Sequence, residues 1–482
     1  MITFIISIAI LIAGYIIYGK FAERIFGIDT NKKTPAYTMT DNVDYVPMPW
    51  WRVFLIQFLN IAGLGPIFGA IMGIMFGTSA FIWIVVGTIF GGAVHDYFSG
   101  MMSVRSGGAS LPELNGRELG NAAKQFMRVF SLFLMILVGA VFVSGPAGLL
   151  AGMTAEYLDV FVWTMVVFAY YILATLLPID KIIGKIYPFF GAVLLFMAVG
   201  ILVALFANGS AIPEITDGLQ NQHPQHLPIF PMMFVSIACG AISGFHATQS
   251  PMMARCIQNE KYGRPCFYGA MVTEGVLALI WAAAAASFFG SIDGLQQFAA
   301  SLPANANTGA EVVNTISKTW LGTFGGILAL LGVVAAPITS GDTALRSARL
   351  IAADFLKINQ KKLSKRLLVA IPIFALTFVI LFFIPFDILW RYFAWCNQTL
   401  AVFTLWAITI YLCKRKKNYW ISLIPALFMT AVTSTYIFVA PEGLGLAYNL
   451  SLTIGLIVTA VIAVVFFLNA KKLSRNFVDS DL

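Results

Sequence analysis

Long runs of apolar residues, separated by short polar stretches, dominate the pattern along the chain. A helix that crosses a bilayer needs about 20 mostly apolar residues, and the runs have about that length. They are continuous rather than alternating, which favours helices over the strands of a membrane barrel. The pattern predicts an all-α polytopic membrane protein with about 13 transmembrane helices. The predicted helices lie at 2–19, 52–77, 79–103, 125–150, 160–178, 185–207, 229–248, 266–289, 321–343, 367–385, 391–413, 419–440 and 444–468.

Glycine and proline interrupt the second and the seventh of these predicted helices. The second contains Gly63, Gly65 and Pro66, and the seventh is interrupted by Gly244 and by Pro251, just past its predicted end. Proline removes a helical donor and glycine frees the backbone, so both helices are expected to unwind locally. Unwound backbone in a membrane is tolerated where it lines a cavity or is buried in protein. Paired interruptions therefore point to the binding site of a transporter.

The order of the predicted helices indicates an internal repeat. Each interrupted helix opens a set of five, and the two sets enter the membrane from opposite sides, as in a LeuT-like 5+5 inverted repeat. The alternative is that glycine and proline are simply common in membrane helices. The expected organisation is an extra N-terminal helix and cytoplasmic loop at 1–51, a first repeat at 52–207, a second repeat at 229–413, two trailing helices at 419–470 and a cytoplasmic tail at 471–482.

Composition supports the membrane assignment and excludes a soluble domain of ordinary type. Hydrophobic residues make up 59% of the 482-residue chain, charged residues make up 11%, and the mean hydropathy is +0.85. A soluble domain of this size carries about 25% charged residues.

The formal net charge of +8 is interpreted as an orientation signal. Lys and Arg collect in the cytoplasmic loops of membrane proteins. If the N-terminus lies outside, every Lys and Arg except Lys318 and Arg391 falls in a predicted inner loop or in the tail. The C-terminus is then cytoplasmic. The lipid bilayer, through its anionic headgroups, is the expected partner of this charge, and no nucleic acid is expected.

The sequence carries no signature of an enzyme. It contains no nucleotide-binding loop, no HExxH and no GxSxG. The five cysteines form no CxxC pair and are expected to be small core residues without a metal or disulfide role. No enzyme activity, no cofactor and no metal site are therefore expected.

The stretch CGAISGFHATQSPMMAR, residues 239–255, places polar side chains at the second interruption. His246 can carry a proton, and ionisable residues within a membrane are costly and usually functional. The alternative is that His246 only satisfies freed backbone groups. The predicted substrate-binding residues are Gly63, Gly65, Ser243, Gly244, His246, Thr248, Gln249, Asn397 and Gln398.

Asp342 is the first candidate for binding a coupling ion. In AAPITSGDTALRSAR it follows Thr339 and Ser340, and this oxygen-rich patch could take H⁺ or Na⁺ together with carbonyls from Ala62 to Gly65. The alternative is an ion pair between Asp342 and Arg346, one helical turn further on.

Asp96 and Glu274 are expected at about the depth of Asp342. Burial there penalises the charged form of a carboxyl group, which is the condition for carrying protons near neutral pH. The alternative for Asp96 is an ion pair with Arg105, whereas Glu274 has no basic residue within one helical turn. The predicted ion- or proton-coupling residues are Asp342, Thr339, Ser340, Glu274, Asp96 and Ala62.

The eleventh predicted helix opens with DILWRYFAWCNQTLA. Arg391 could attract an anionic substrate from outside or pair with Asp387. Asn397 and Gln398, about two turns deeper, could bind a substrate or a neighbouring helix. The aromatic residues at 390–395 are expected to form an interfacial belt rather than a gate.

Six stretches of the sequence resemble signature blocks of the carbon starvation protein A (CstA) family. They are DNVDYVP, IAGLGP, DKIIGKIYPFFGA, ACGAISGFHATQSPMMARCIQNEKYGRPCFYGAM, ITSGDTALRSARL and LWRYFAWCNQTLA. The resemblance implies a bacterial inner-membrane importer used when carbon is scarce, with peptides or pyruvate as substrates and the proton gradient as driving force. It also implies membership of the amino acid–polyamine–organocation superfamily. The chain departs from the family in its shorter length and in Ile56 and Gln57, where many members carry histidines.

These observations favour a secondary active transporter that imports peptides or pyruvate by ion-coupled symport, with H⁺ or Na⁺ as the coupling ion. The expected location is the bacterial cytoplasmic (inner) membrane, crossed several times. A channel and a starvation-sensing membrane protein are the alternatives. A channel needs a continuous pore, and a sensor needs an output domain, which the short loops do not provide.

Overall fold

A computed structural model describes residues 1–41, 44–154, 157–176, 179–303, 306–358, 362–384 and 386–475. In the first half of the chain the helices are α1 (Ile2–Phe26), α2 (Trp50–Ile61), α3 (Gly65–Ile74), α4 (Ser79–Arg105), α5 (Leu111–Leu119), α6 (Asn121–Met153), α7 (Val160–Leu176) and α8 (Ile179–Ala207).

In the second half they are α9 (Ile229–Met233, continued as Phe234–Ser236), α10 (Gly244–Ala254), α11 (Glu260–Phe288), α12 (Ile292–Ser301), α13 (Thr308–Phe355), α14 (Leu363–Phe383), α15 (Phe386–Lys414), α16 (Trp420–Val439) and α17 (Tyr448–Arg475).

The described residues confirm an all-helical membrane protein. Nine of their helices are long and apolar enough to cross a bilayer, and α2 with α3 makes a tenth span if the bent pair is counted as one. Three further predicted spans coincide with the shorter α7, the interrupted pair α9 and α10, and the kinked α13. The count of thirteen and the inverted repeat stay predictions, as do the bounds of the five segments drawn from the sequence. Residues 476–482 of the predicted tail lie outside the described residues.

The first predicted interruption lies where glycine was expected to free the backbone. Helix α2 ends at Ile61, α3 begins at Gly65, and the two axes differ by 56°. Pro66 occupies the first turn of α3, where the missing amide of proline is tolerated.

The second interruption lies earlier than predicted. Helix α9 ends at Ser236 and α10 begins at Gly244, so the unwound segment is 237–243. The expectation that Gly244 and Pro251 break the helix is wrong, because Gly244 opens α10 and Pro251 lies inside it. The reason is tertiary: Asn397 on α15 accepts a hydrogen bond from the amide of Phe245 and stabilises the helix start at this point.

The two interruptions pack directly against each other. A Cβ atom added at Gly65 would lie 2.3 Å from the sulfur of Cys239, and one added at Gly69 would lie 2.7 Å from the carbonyl oxygen of Ser236. Helix α10 in turn packs on α2. Glycine is needed at these contacts because any side chain would force the half-helices apart.

The loop between α1 and α2 closes one end of the bundle. Arg105, at the end of α4, donates to both carboxylate oxygens of Glu260, at 3.0 and 2.9 Å, and to the carbonyl of Gly27 at 2.6 Å. The hydroxyl of Thr34 donates to the carbonyl of Ile257 at 2.6 Å. This closed end is the one that the charge pattern predicts to be cytoplasmic.

The five cysteines are free thiols, and all five are buried, as the sequence predicted of small core residues. Their fully or nearly fully buried side chains pack with aliphatic and aromatic neighbours in one continuous core. They act as small apolar residues there.

Candidate functional site

Four ionisable side chains meet in the core beside the second interruption. His95 and Asp96 lie on α4, His246 on α10 and Glu274 on α11, and all four are fully buried. A buried charge is tolerated only when it is paired and hydrogen-bonded, so this grouping is the most unusual feature of the membrane-embedded core.

Asp96 stands at the centre of the four side chains. One of its carboxylate oxygens lies 2.7 Å from Nδ1 of His95, and the other lies 2.8 Å from Nδ1 of His246. On the far side of the ring, Nε2 of His246 lies 3.3 Å from Oε2 of Glu274. That last contact is close enough for an ion pair but is not aligned as a hydrogen bond.

This geometry fixes where protons can move. An ionised carboxylate only accepts hydrogen bonds, so Asp96 requires a proton on Nδ1 of both histidines. Nε2 of His246 is then the atom that can gain or lose a proton, and Glu274 is the group nearest to it. Asp96 sets the tautomer, while His246 and Glu274 can share one transferable proton.

A glycine lets α4 bring Asp96 against α10. A Cβ atom at Gly92 would lie 2.3 Å from the carbonyl oxygen of Ala241, in the unwound segment 237–243. Gly92 ends a π-helical stretch, Gly87–Gly92, and Asp96 follows one turn later. π-Helical turns inside α-helices are frequent at functional sites.

Asn397 holds the unwound segment rather than pointing to a free space. Its side-chain oxygen accepts from the hydroxyl of Ser243 at 3.0 Å and from the amide of Phe245 at 2.6 Å. Gln398 donates to the carbonyl of Phe234 near the end of α9. Both residues, predicted to bind substrate, here satisfy backbone and side-chain groups around the interruption.

Asp342 lies in a separate buried cluster. Its carboxylate is 3.7 Å from Nη2 of Arg346, the ion pair that the sequence left as an alternative. Ser340 donates to the carbonyls of Leu59 and Asn60, at 3.2 and 3.1 Å, at the end of α2. These are not the carbonyls from Ala62 to Gly65 that the sequence suggested.

The remaining residues of the predicted ion site take local contacts. Thr339 donates to the carbonyls of Ala335 and Ala336, both within its own helix. Ala62 is fully buried in the first interruption. Asp342 contacts Arg346, whereas Asp96 and Glu274 both contact His246.

A cavity of about 450 Å³ opens at the end of the bundle opposite the Arg105–Glu260 pair. Its walls include Phe68 of α3, Ser236 of α9 and Trp390 of α15. Helix α4 has 27 residues and separates the two ends by about 40 Å. We call this cavity the outer vestibule, because the charge pattern predicts that its end faces outward.

Two expectations about these surroundings are wrong. Asp96 does not pair with Arg105, whose carboxylate partner is Glu260. Trp390 and Phe393 are buried and do not form an interfacial belt, since Trp390 packs its ring 5.9 Å from that of Phe68.

Arg391 lies at the rim of the outer vestibule, where Nη1 is 3.5 Å from a carboxylate oxygen of Glu442. The side-chain partner that the sequence suggested was Asp387, whose side chain lies outside the described side chains. Arg391 is about half exposed and remains close to the path by which a solute would enter.

Sequence reasoning missed three residues of this region. His95 was passed over although it precedes Asp96, and two adjacent ionisable residues at membrane depth are themselves a signal. Gln57 and Asn60 were not proposed as site residues, although both are fully buried at the interface of α2 with α10. Two polar residues three positions apart, just before the glycine that interrupts the helix, could have identified them.

Comparison with known protein families gives one result that covers nearly the whole chain. The sequence model of the family described as Carbon starvation protein CstA matches residues 1–162, 151–322 and 293–436.

Three curated relatives show how far this similarity extends. An uncharacterized membrane protein of Haemophilus influenzae is 46% identical over 346 residues, which cover 61% of this chain and 93% of that protein. The peptide transporter CstA of Bacillus subtilis is 28% identical, over 58% of this chain and 57% of that protein. The pyruvate/proton symporter BtsT of Escherichia coli is 25% identical, over 57% of this chain and 47% of that protein. The aligned regions thus span about half the length of the relatives with named activities.

A solved structure with a similar fold is a manganese transporter of Eremococcus coleocola. The TM-score is 0.53 at 13% identity, covering 90% of this chain and 97% of that one. At this identity the likeness concerns the fold alone. The relatives with named activities and this structural neighbour are transporters rather than enzymes, in agreement with the expectation from the sequence.

Proposed function

Because the chain belongs to the carbon starvation protein CstA family, we propose that it is a secondary active transporter that imports small carbon and nitrogen nutrients, peptides or pyruvate, by proton-coupled symport. In this proposal it lies in the bacterial cytoplasmic membrane with its N-terminus outside and its C-terminus in the cytoplasm. The segments 52–207 and 229–413 act as inverted repeats. The interrupted helices α2–α3 and α9–α10 supply the solute site.

The observation that carries the proposal is the buried group of His95, Asp96, His246 and Glu274 beside the second interruption. Four titratable side chains in a membrane core cost folding free energy, and proton transfer is the function that gives such a group a purpose. Its contact with the unwound segment supports coupling, because a change in the segment's position would change the distances within the group.

The transferable proton sits between His246 and Glu274. When it lies on Nε2, the imidazolium is stabilised by Asp96, and Glu274 is ionised. When it lies on Glu274, His246 is neutral and the pair carries no separated charge. Binding of a solute at the adjacent half-helices would favour one arrangement, and release of the proton to the other face would favour the other.

Access to the site alternates between two ends of the bundle. The outer vestibule opens at one end, while the Arg105–Glu260 pair and the loop between α1 and α2 close the other. Inward release then requires that the Arg105–Glu260 pair separate, and rocking of the two repeats supplies that movement.

The test is uptake of a labelled dipeptide and of labelled pyruvate into proteoliposomes, with pH and Na⁺ gradients imposed separately. Accumulation of either solute that follows an inward proton gradient, and is abolished by a protonophore, is expected. Accumulation that follows only the Na⁺ gradient would place the coupling ion at the Ser340 and Asp342 cluster instead. Net flux without counterflow would favour the channel alternative.

A further inference from the structure

Three buried carboxamide side chains lie on α2 and α10, two helices that pack against each other. Gln57 and Asn60 lie one turn apart near the end of α2, and Gln249 lies on α10. All three are fully buried. Buried amides normally find hydrogen-bond partners for their oxygen and nitrogen atoms. A buried amide atom without a hydrogen-bond partner therefore requires an explanation.

A serine fixes which way the amide of Gln57 points. The hydroxyl of Ser250 donates its only proton to the carbonyl of His246 at 3.0 Å. The oxygen of Ser250 can therefore only accept from Gln57, whose nitrogen Nε2 lies 3.4 Å away. The other end of this amide, Oε1 of Gln57, is a hydrogen-bond acceptor without a partner among the described residues.

A threonine fixes Gln249 in the same way. The hydroxyl of Thr248 donates to the carbonyl one turn before it, at 2.6 Å, and so accepts from Nε2 of Gln249 at 2.9 Å. Oε1 of Gln249 is then a second acceptor without a partner in the described part of the chain. For Asn60, neither side-chain atom has a hydrogen-bond partner there.

The polarity of these atoms selects the ligand. Two acceptors of fixed orientation require N–H or O–H donors, and the amide of Asn60 can take up either a donor or an acceptor. A 2-oxo carboxylate such as pyruvate presents only acceptor oxygens at neutral pH and would face the two glutamine oxygens with like partial charge. A primary ammonium or a peptide amide presents N–H groups, which can donate to the oxygens of both glutamines.

From this we infer that Gln57, Asn60 and Gln249 form a subsite for an N–H-bearing group of the transported solute, either its ammonium or an amide. The inference rests on the proposed transport function and specifies which chemistry the solute must carry. The subsite lies one helical turn from His246, because Ser250 joins Gln57 to the carbonyl of that residue. Binding of the solute at this subsite would therefore affect the proton equilibrium of His246.

The test is counterflow of a labelled dipeptide in proteoliposomes without any pH gradient, which measures solute exchange independently of proton coupling. Unlabelled dialanine is expected to compete, and pyruvate is expected to compete at least tenfold more weakly. Dialanine with a trimethylated amino terminus and dialanine with an N-methylated peptide bond identify the source of the donor. The analogue that loses competition lacks the group that the subsite binds.

Matched variants test the residues. Gln57→Met and Gln249→Met remove the acceptor at nearly constant length, and Gln125→Met is the control at an exposed glutamine. Each of the first two is expected to raise the half-inhibiting concentration of dialanine about tenfold, with pyruvate unaffected and the control unchanged. The melting temperature of each purified variant verifies that it is folded, and the analogue series on the unmodified protein needs no variant.

Three outcomes would overturn the inference. Equal competition by pyruvate and dialanine in the unmodified protein is one. Unchanged competition by both methylated analogues is another. The third is stabilisation of the protein by Na⁺ that Gln57→Met abolishes while dipeptide exchange persists. If the unmodified protein exchanges no solute at all, the proposed function itself fails. In each of the three overturning outcomes transport itself stands and only this subsite is refuted.

Discussion

Replacement of Asp96 by asparagine is the perturbation that the buried group makes most informative. Asp96 accepts from Nδ1 of both His95 and His246, at 2.7 and 2.8 Å, with no exposure to solvent. An asparagine keeps the shape but has one acceptor oxygen, and its NH₂ group would meet the second imidazole N–H as donor against donor. One imidazole must then change its tautomer or turn away.

The size of the effect follows from the contact that is lost. A hydrogen bond to a charged group is worth about 1.5–3 kcal/mol, and the opposed donors add to the loss. A shift of about 3 kcal/mol against the competent tautomer lowers its population roughly 100-fold. We therefore expect Asp96→Asn to reduce proton-driven uptake by about two orders of magnitude.

The assay compares uptake driven by an inward pH gradient with counterflow at equal pH. Asp96→Asn is expected to lose gradient-driven accumulation far more than exchange, because exchange does not require net proton movement. Asp293→Asn, at an exposed aspartate, is the control and should behave as the unmodified protein. Gradient-driven uptake by Asp96→Asn at the unmodified rate from pH 5 to pH 8 would refute the role given to this carboxylate.

Three further predictions concern other parts of the molecule. Gly65→Ala places a Cβ atom 2.2 Å from that of Cys239 and should abolish uptake, with partial recovery when Cys239→Gly is added, and failure to recover would refute this steric account. Glu260→Gln weakens the contact with Arg105 that closes the inner end and should increase maleimide labelling of Cys256. Burial raises the pKa of the Cys256 thiol to about 11. Unchanged labelling would contradict the proposal that separation of Arg105 from residue 260 opens this end. The N-terminal ammonium lowers the pKa of Glu214 to about 2, so the ionised carboxylate stabilises the fold above its ordinary pKa of 4.5 and loses that effect as pH falls towards 2. The difference in melting temperature between the unmodified protein and Glu214→Gln should shrink over that range, and a constant difference would contradict this contribution.

The sequence predicted what depends on local composition. Apolar runs located most helices within a few residues, because length and hydropathy alone decide which segments enter a bilayer. The first interruption was predicted correctly from Gly63 and Gly65, since glycine there meets a close approach of backbone. His246, Asp96 and Glu274 were identified one by one from the cost of ionisable groups in a membrane.

The contacts among these residues could not be predicted, because they join positions far apart in the chain. Asp96 and His246 are separated by 150 residues, so a pairing of Asp96 with the nearer Arg105 was the only local alternative. The second interruption was misplaced for the same reason. Its bounds depend on Asn397, which lies 152 residues beyond the amide that it binds.

The roles of the polar residues on α15 also depend on tertiary contacts. A polar pair on a membrane helix predicts either a ligand site or a helix contact, and the sequence cannot choose between them. In the structure Asn397 and Gln398 bind the two ends of the unwound segment. Among the described residues, Gln57 and Asn60, which composition did not single out, keep side-chain atoms without a hydrogen-bond partner, and so do Gln249 and Gln398, which it did.

The most direct test of the account is whether solute movement carries protons through the buried group. Proteoliposomes loaded with a pH-sensitive dye receive an inward solute gradient at equal pH on both sides. We expect the lumen to acidify in step with solute entry and His246→Gln to carry no protons into it. Solute accumulation at the unmodified rate with no change in lumenal pH, or undiminished acidification in His246→Gln, would contradict it.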